Sequence, residues 1–239
     1  MAPAGRPTDP DPFWNYEEVA LFVGAIFPAL LVSTLLVSTA NAILPGILGG
    51  DGMQNLIFQL LLYAILLGVV HLMFWLRHDR PMWRSLGWSM QFRGAWMCVV
   101  LAPFLAVGIS LLGTLLNTPI ILTPVETLVN GQASMAAVAV FAVFLGPLFE
   151  ELIFRGFLYP LFRKSFGVVG GILCAAIPFA LLHGPQYEWH WQHLVLLTLA
   201  GSAFGAMRQW RGSTAASALL HASYNLTLFF AQVLQSAPL

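Results

Sequence analysis

Charge is what this sequence has least of. Only 8% of its 239 residues are charged, against roughly a quarter in soluble domains. Ten Lys and Arg balance ten Asp and Glu, so no surplus of positive charge points to a nucleic-acid partner. Cysteine is scarce too: Cys98 and Cys174 both lie in apolar runs, which excludes a disulfide framework or a cysteine zinc site and leaves them as packing residues. The zinc-protease helix His-Glu-x-x-His is missing. So is the pair of similar halves with matched broken helices that a transporter would show. The first twelve residues, with Pro3, Pro7, Pro10 and Pro12, lack the basic-then-apolar build of a cleaved signal peptide. Residues 1–16 read as a disordered tail.

What remains is hydrophobic. Apolar residues make up 59% of the chain and the mean hydropathy is +0.80. This is the composition of an all-α, polytopic membrane helix bundle. Apolar runs predict about seven spans: near 19–40, 53–76, 96–115, from 134 onward, 168–183, 193–207 and 214–233. The first three, within 17–115, form an N-terminal group. A segment near 81–95 mixes Trp83, Leu86, Trp88 and Met90 with Arg84 and Arg93, as an interfacial helix does. Glu17 and Glu18 open the first span, where carboxylates favour the positive end of the helix dipole. Thr123-Pro124-Val125-Glu126 has the form of a capping box with proline at the first helical position, so a short surface helix is expected there. Residues 134–234 hold the other four spans and form the C-terminal membrane core.

The ten basic residues set an orientation. With seven spans and a cytoplasmic N-terminus, all of them, from Arg6 to Arg211, fall on the cytoplasmic side. Loops near Asp51, Glu126 and Glu188 then face outward with no Lys or Arg. That is the positive-inside pattern, and it predicts an outside C-terminus.

Against this background Phe149-Glu150-Glu151-Leu152-Ile153-Phe154-Arg155-Gly156 stands out. An ionised side chain at the bilayer centre costs on the order of 2.5–3.5 kcal/mol on insertion scales. Glu151 and Arg155 are spaced i, i+4 and can pair on one helix face. Glu150 points elsewhere and has no sequence partner, which suits a general base toward water. Two later pieces share the one-turn spacing: Phe179-x-x-x-His183 and His221-x-x-x-Asn225. An imidazole and a carboxamide side by side can donate to a developing oxyanion. Glu150, His183 and His221 are also a usual catalytic zinc set, so a Zn²⁺ held by these three and an activated water without metal are both supported. On straight spans His221 lies roughly 12 Å and His183 roughly 22 Å from the inner ends of their helices, so the site requires strong tilt or a fifth helix that starts in the cytoplasm.

Taken in order, Glu150-Glu151-x-x-x-Arg155, Phe179-x-x-x-His183 and His221-x-x-x-Asn225 resemble the three motifs of the CPBP intramembrane protease family, that of the CAAX prenyl endopeptidases and bacterial Abi proteins. The resemblance covers about residues 134–230. It implies peptide-bond hydrolysis within the membrane, with Glu150 and His183 activating water and His221 and Asn225 stabilising the oxyanion. Glu151, Arg155 and Phe179 would support the site. The substrate would be a membrane-embedded or lipid-anchored peptide or protein. A non-catalytic member acting as a membrane binding partner, in immunity or quality control, is the alternative. Compact loops and the lack of a soluble domain suggest a multi-pass protein of a bacterial plasma membrane.

Overall fold

A computed structural model describes residues 12–90, 94–121 and 135–236. Among these residues all regular structure is helical. Helices α1 (Tyr16–Ile43) and α2 (Asp51–His78) form an antiparallel pair, followed by the short α3 (Met82–Ser85) and by α4 (Ala95–Leu115). Next comes one long helical run: α5 (Met135–Val140), a wide π turn (Phe141–Leu145), α6 (Gly146–Glu151), a second π turn (Leu152–Leu158) and α7 (Tyr159–Leu182). Helices α8 (Trp191–Arg211) and α9 (Thr214–Ser236) complete the bundle.

Four stretches are long and apolar enough to cross a membrane: 16–43, 51–78, 95–115 and the run 135–182. The run is not straight. Gly167 takes φ +72°, a left-handed conformation that costs glycine little, and the chain doubles back so tightly there that a Cβ at Gly171 would stand 2.6 Å from the Arg163 backbone nitrogen. Gly167 thus separates the expected fourth and fifth spans, and the fifth keeps its anticipated place at 168–182. The expected helix at 123–126 lies outside the described residues. Of the expected interfacial segment, only Met82–Ser85 is helical among the described residues.

Two clusters hold the bundle together. In one, Cys98, Ala102 and Ala106, four residues apart on α4, pack against Ala200, Phe204, Ala216 and Leu220 of α8 and α9. Small residues at that spacing let helix backbones approach closely, which is how apolar helices associate where lipid removes the hydrophobic drive. Cys98 and Cys174 are both free thiols. In the other cluster Trp14, Phe22, Val70 and Phe74 meet Phe154 and Phe157.

This second cluster corrects the expected tail. Residues 1–11 lie outside the described residues, but Trp14 is buried and its indole N–H donates to the Phe157 carbonyl at 3.0 Å. The aromatic ring supplies the burial, and the indole supplies a donor to a helical carbonyl. Next to it, Asn15 and Glu18 form a capping box on α1. Glu18 is buried and does more than cap, since its Oε1 lies 2.9 Å from His78 Nε2 and 3.5 Å from Arg77 Nε.

Candidate active site

The site begins with two prolines. A proline inside a helix has no N–H and its ring crowds the carbonyl four residues earlier. Pro147 and Pro160 each stand just beyond a π turn, and widening the helix relieves that crowding. At the first turn the Gly146 N–H bonds the Phe141 carbonyl. Pro147 has no N–H to offer, so the Ala142 carbonyl is left without a helical partner. Asn225 takes that place: its Nδ2 donates to Ala142 O at 2.8 Å. The two turns flank 146–151 and set the direction in which its carboxylates project.

Glu151 projects into a closed polar knot. Both it and Arg155 are fully buried, and Arg155 Nη1 donates to Glu151 Oε1 at 2.8 Å. The Ser217 hydroxyl lies on Glu151 Oε2 and also within reach of the Phe204 carbonyl. His221 Nδ1 lies 3.0 Å from Glu151 Oε1. Arg155 Nη2 donates to the Gly201 carbonyl at 2.6 Å. Its guanidinium lies 4.8 Å from the Phe179 ring centre and 5.5 Å from that of Phe204, distances at which a cation is drawn to the aromatic face. A glycine at 201 leaves room for this, since a Cβ there would crowd Arg155 Nη2 at 3.0 Å and the Phe179 ring at 3.1 Å.

Glu150 projects the other way, into a cavity of about 1070 Å³ lined mainly by α1, α2, α6, α7 and α9. The cavity also receives His183, His221 and Asn225, but not Glu151 or Arg155. His183 Nε2 lies 3.9 Å from Glu150 Oε1, and His221 Nε2 lies 3.8 Å from Glu150 Oε2. The other nitrogen of each ring is tied: His183 Nδ1 is 2.8 Å from the Phe179 carbonyl, and His221 Nδ1 faces Glu151. A carbonyl and an ionised carboxylate only accept, so both Nδ1 atoms carry hydrogen. The Nε2 of each ring is the atom turned toward Glu150.

The sequence-predicted residues thus come together. Glu150, His183, His221 and Asn225 share one cavity, Glu151 and Arg155 lie behind it, and Phe179 packs between the two imidazoles at 4.7 and 5.8 Å. Both histidines approach the same carboxylate, as the site required. Sequence reasoning missed Ser217 and Tyr63. Ser217 could have been found, because Ser217, His221 and Asn225 repeat every four residues on one face of α9. Tyr63 of α2 lines the same cavity as Glu150, and nothing in its apolar surroundings marks it.

The tied imidazoles are held as zinc-binding histidines are. However, the two rings address different oxygens of Glu150. Among the described residues no three His, Cys, Asp or Glu side chains are grouped so as to hold a metal ion. Glu150, His183 and His221 are the side chains that would hold a Zn²⁺ if one bound, and the same groups could serve a water activated without metal.

Comparison with known proteins adds one match. Residues 132–227 fit the family model described as Rce1-like, type II CAAX prenyl endopeptidase Rce1-like. No curated protein and no solved structure matches the chain. The matched segment contains Glu150, Glu151, Arg155, Phe179, His183, His221 and Asn225, and it leaves out α1 to α4. That segment of an integral membrane bundle is similar to the Rce1-like family of type II CAAX prenyl endopeptidases, and it carries every side chain of the candidate site named from the sequence.

Proposed function

We propose that this protein is an intramembrane endopeptidase that hydrolyses peptide bonds of membrane-embedded or lipid-anchored substrates with a water activated by Glu150. The observation that carries this reading is the pair of gaps, 3.9 and 3.8 Å, between the Glu150 oxygens and the Nε2 atoms of His183 and His221. A water about 2.8 Å from both Glu150 Oε1 and His183 Nε2 can donate one hydrogen to each. Its remaining lone pair then points at a substrate carbonyl. As the new C–O bond forms, Glu150 takes the proton as general base; as the C–N bond breaks, it returns that proton to the leaving amine.

The carbonyl oxygen becomes an anion on the way. His221 can donate to it from Nε2 only as an imidazolium, and Glu151 on its Nδ1 is the counter-charge for that cation. Asn225 uses one N–H on Ala142 O, so its second N–H is the one available to the oxyanion. The family is one of CAAX prenyl endopeptidases, and the cavity is mostly apolar, as a lipid-bearing peptide requires.

The test uses two probes, a farnesylated quenched peptide with a C-terminal cysteine motif and an unprenylated quenched membrane-peptide library. Detergent-purified wild type and Glu150→Ala are compared, each with and without chelator. Cleavage that disappears in Glu150→Ala and survives chelation supports the reading. Equal cleavage by both proteins overturns it, and chelator-sensitive cleavage overturns its metal-free form.

A further inference from the structure

The wall of the cavity that α1 and α2 supply is aliphatic and aromatic except at Gln59 and Tyr63. From Leu56 to Val70 these are also the only side chains of α2 that carry a hydrogen-bonding group. They stand one turn apart, so both face the same way. Two contacts fix that face toward the helical run 135–182. Three residues before Gln59, Leu56 is buried with Val138. Four residues after it, the Tyr63 ring stacks on Phe141 at 6.2 Å and meets Phe149 at 4.9 Å. Phe149 directly precedes Glu150. Gln59 therefore lies beside the run that carries the catalytic carboxylate, about 6 Å along α2 from Tyr63. A carboxamide well inside a membrane-length helix usually bonds across to a neighbouring helix. Gln59 has no such hydrogen bond among the described residues, and it is only half-buried, its side chain lining the cavity.

We propose that Gln59 is a substrate-binding residue: its carboxamide pairs with a backbone C=O and N–H of the peptide in the cavity, to one side of the bond that is cleaved. This rests on the proposed peptidase reading and adds how the same site holds its substrate. A peptide bond open to attack by water is not part of a closed helix, so the units flanking it bring N–H and C=O groups with no partners of their own. In an apolar cavity each of these is costly unless the protein supplies a partner. Glu150, His183, His221 and Asn225 serve the water and the reacting carbonyl. The flanking units need other groups, and a carboxamide offers the same acceptor and donor as a peptide unit. At about 3.4 Å per extended residue, a chain held at Glu150 passes Gln59 within a few residues of the cut. A backbone contact is blind to side-chain identity, so Gln59 adds affinity for peptides of many sequences.

The test measures binding without turnover, in the full chain carrying Glu150→Gln. The probes are the farnesylated and the unprenylated quenched peptides, and an N-methylated series of the tighter binder, in which each methyl group removes one backbone donor. Adding Gln59→Met keeps the length of the side chain and removes its polar atoms. It is expected to weaken binding about three- to tenfold, the scale of one or two backbone hydrogen bonds, with the unfolding midpoint unchanged. One N-methyl position should weaken binding where Gln59 is retained and have no further effect in Gln59→Met; that position is the unit Gln59 holds. Equal affinity with and without Gln59→Met overturns the proposal. So do N-methyl losses that are the same in both proteins, which would leave Gln59 a packing residue, and so does a failure of both peptides to bind. Turnover is read separately on protein that retains Glu150, where Gln59→Met should raise KM by the same factor and leave kcat within about twofold. If Glu150→Gln cleaves at the wild-type rate, the peptidase mechanism fails while the binding result still decides on Gln59.

Discussion

Adjacent glutamates carry opposite roles here because a helix turns about 100° between them. Glu151 enters a dry knot with Arg155 and Ser217, and Glu150 enters the cavity. Removing one partner of a buried pair leaves an uncompensated charge, at a cost of about 3–5 kcal/mol. Glu151→Gln and Arg155→Met are therefore expected to lower the unfolding midpoint in detergent strongly; a midpoint within about 2 °C of wild type would contradict the structural role. Gly201→Val should act in the same direction, because its side chain would displace Arg155 from the Gly201 carbonyl. At this scale the sequence was informative wherever a polar residue stood at a one-turn spacing in an apolar run. That is how Glu151–Arg155 and His221–Asn225 were legible. The Asn225 contact with the Ala142 carbonyl was not, since a helix carbonyl 83 positions away carries no mark in the sequence.

Helical elements position these groups through their irregularities. The apolar run predicted a helix from residue 134 onward, and the helix is there. Its two π turns could be sought only through Gly146-Pro147 and Tyr159-Pro160, and proline alone does not say whether a helix will kink, end or widen. Replacing Pro147 with alanine restores an N–H and removes the crowding, so the first π turn can relax to α geometry. That would rotate the preceding segment relative to Glu150 and strand Asn225. Pro147→Ala is expected to keep its helical circular dichroism while losing about tenfold or more in cleavage, the usual cost of small misplacements at a reacting centre. Full activity would show that the π turn does not set the direction of Glu150. The break near residue 168 was legible as the start of the fifth apolar run, but its form, a reversal at a single glycine with φ +72°, was not.

In the whole molecule the N-terminal segment is fastened to the helical run 135–182. Trp14 seals onto Phe157, Glu17 pairs with Arg77 at 2.7 Å, and the Tyr16 hydroxyl donates to Ser165 at 2.8 Å. Proline-rich composition suggested a tail as far as residue 16, and composition cannot reveal that one tryptophan has a docking place. Trp14→Ala is expected to destabilise the fold by about 3–5 kcal/mol, read by detergent unfolding; an unchanged midpoint would make the contact incidental. These contacts, with Ser213 on the Ser89 carbonyl and the Thr214 N–H on the Gly87 carbonyl at 3.0 Å, gather the segments bearing Arg77, Arg80, Arg84, Arg208 and Arg211 at one end of the bundle. One-sided basic charge is what the positive-inside rule requires. The proposed orientation predicts that a reporter active only outside the cytoplasm works when fused after Leu239 and fails when fused before Met1; the reverse result would invert the topology.

The most direct test of the central claim is the cleavage rate of Glu150→Gln against wild type, at matched unfolding midpoints. The substitution keeps the size of the side chain and removes its ability to accept a proton. If Glu150 is the general base, the rate falls by about a hundredfold or more while the protein stays folded, since Glu150 is not part of the buried knot. Wild-type cleavage by folded Glu150→Gln would contradict the account, and the reacting centre would have to lie elsewhere in the cavity.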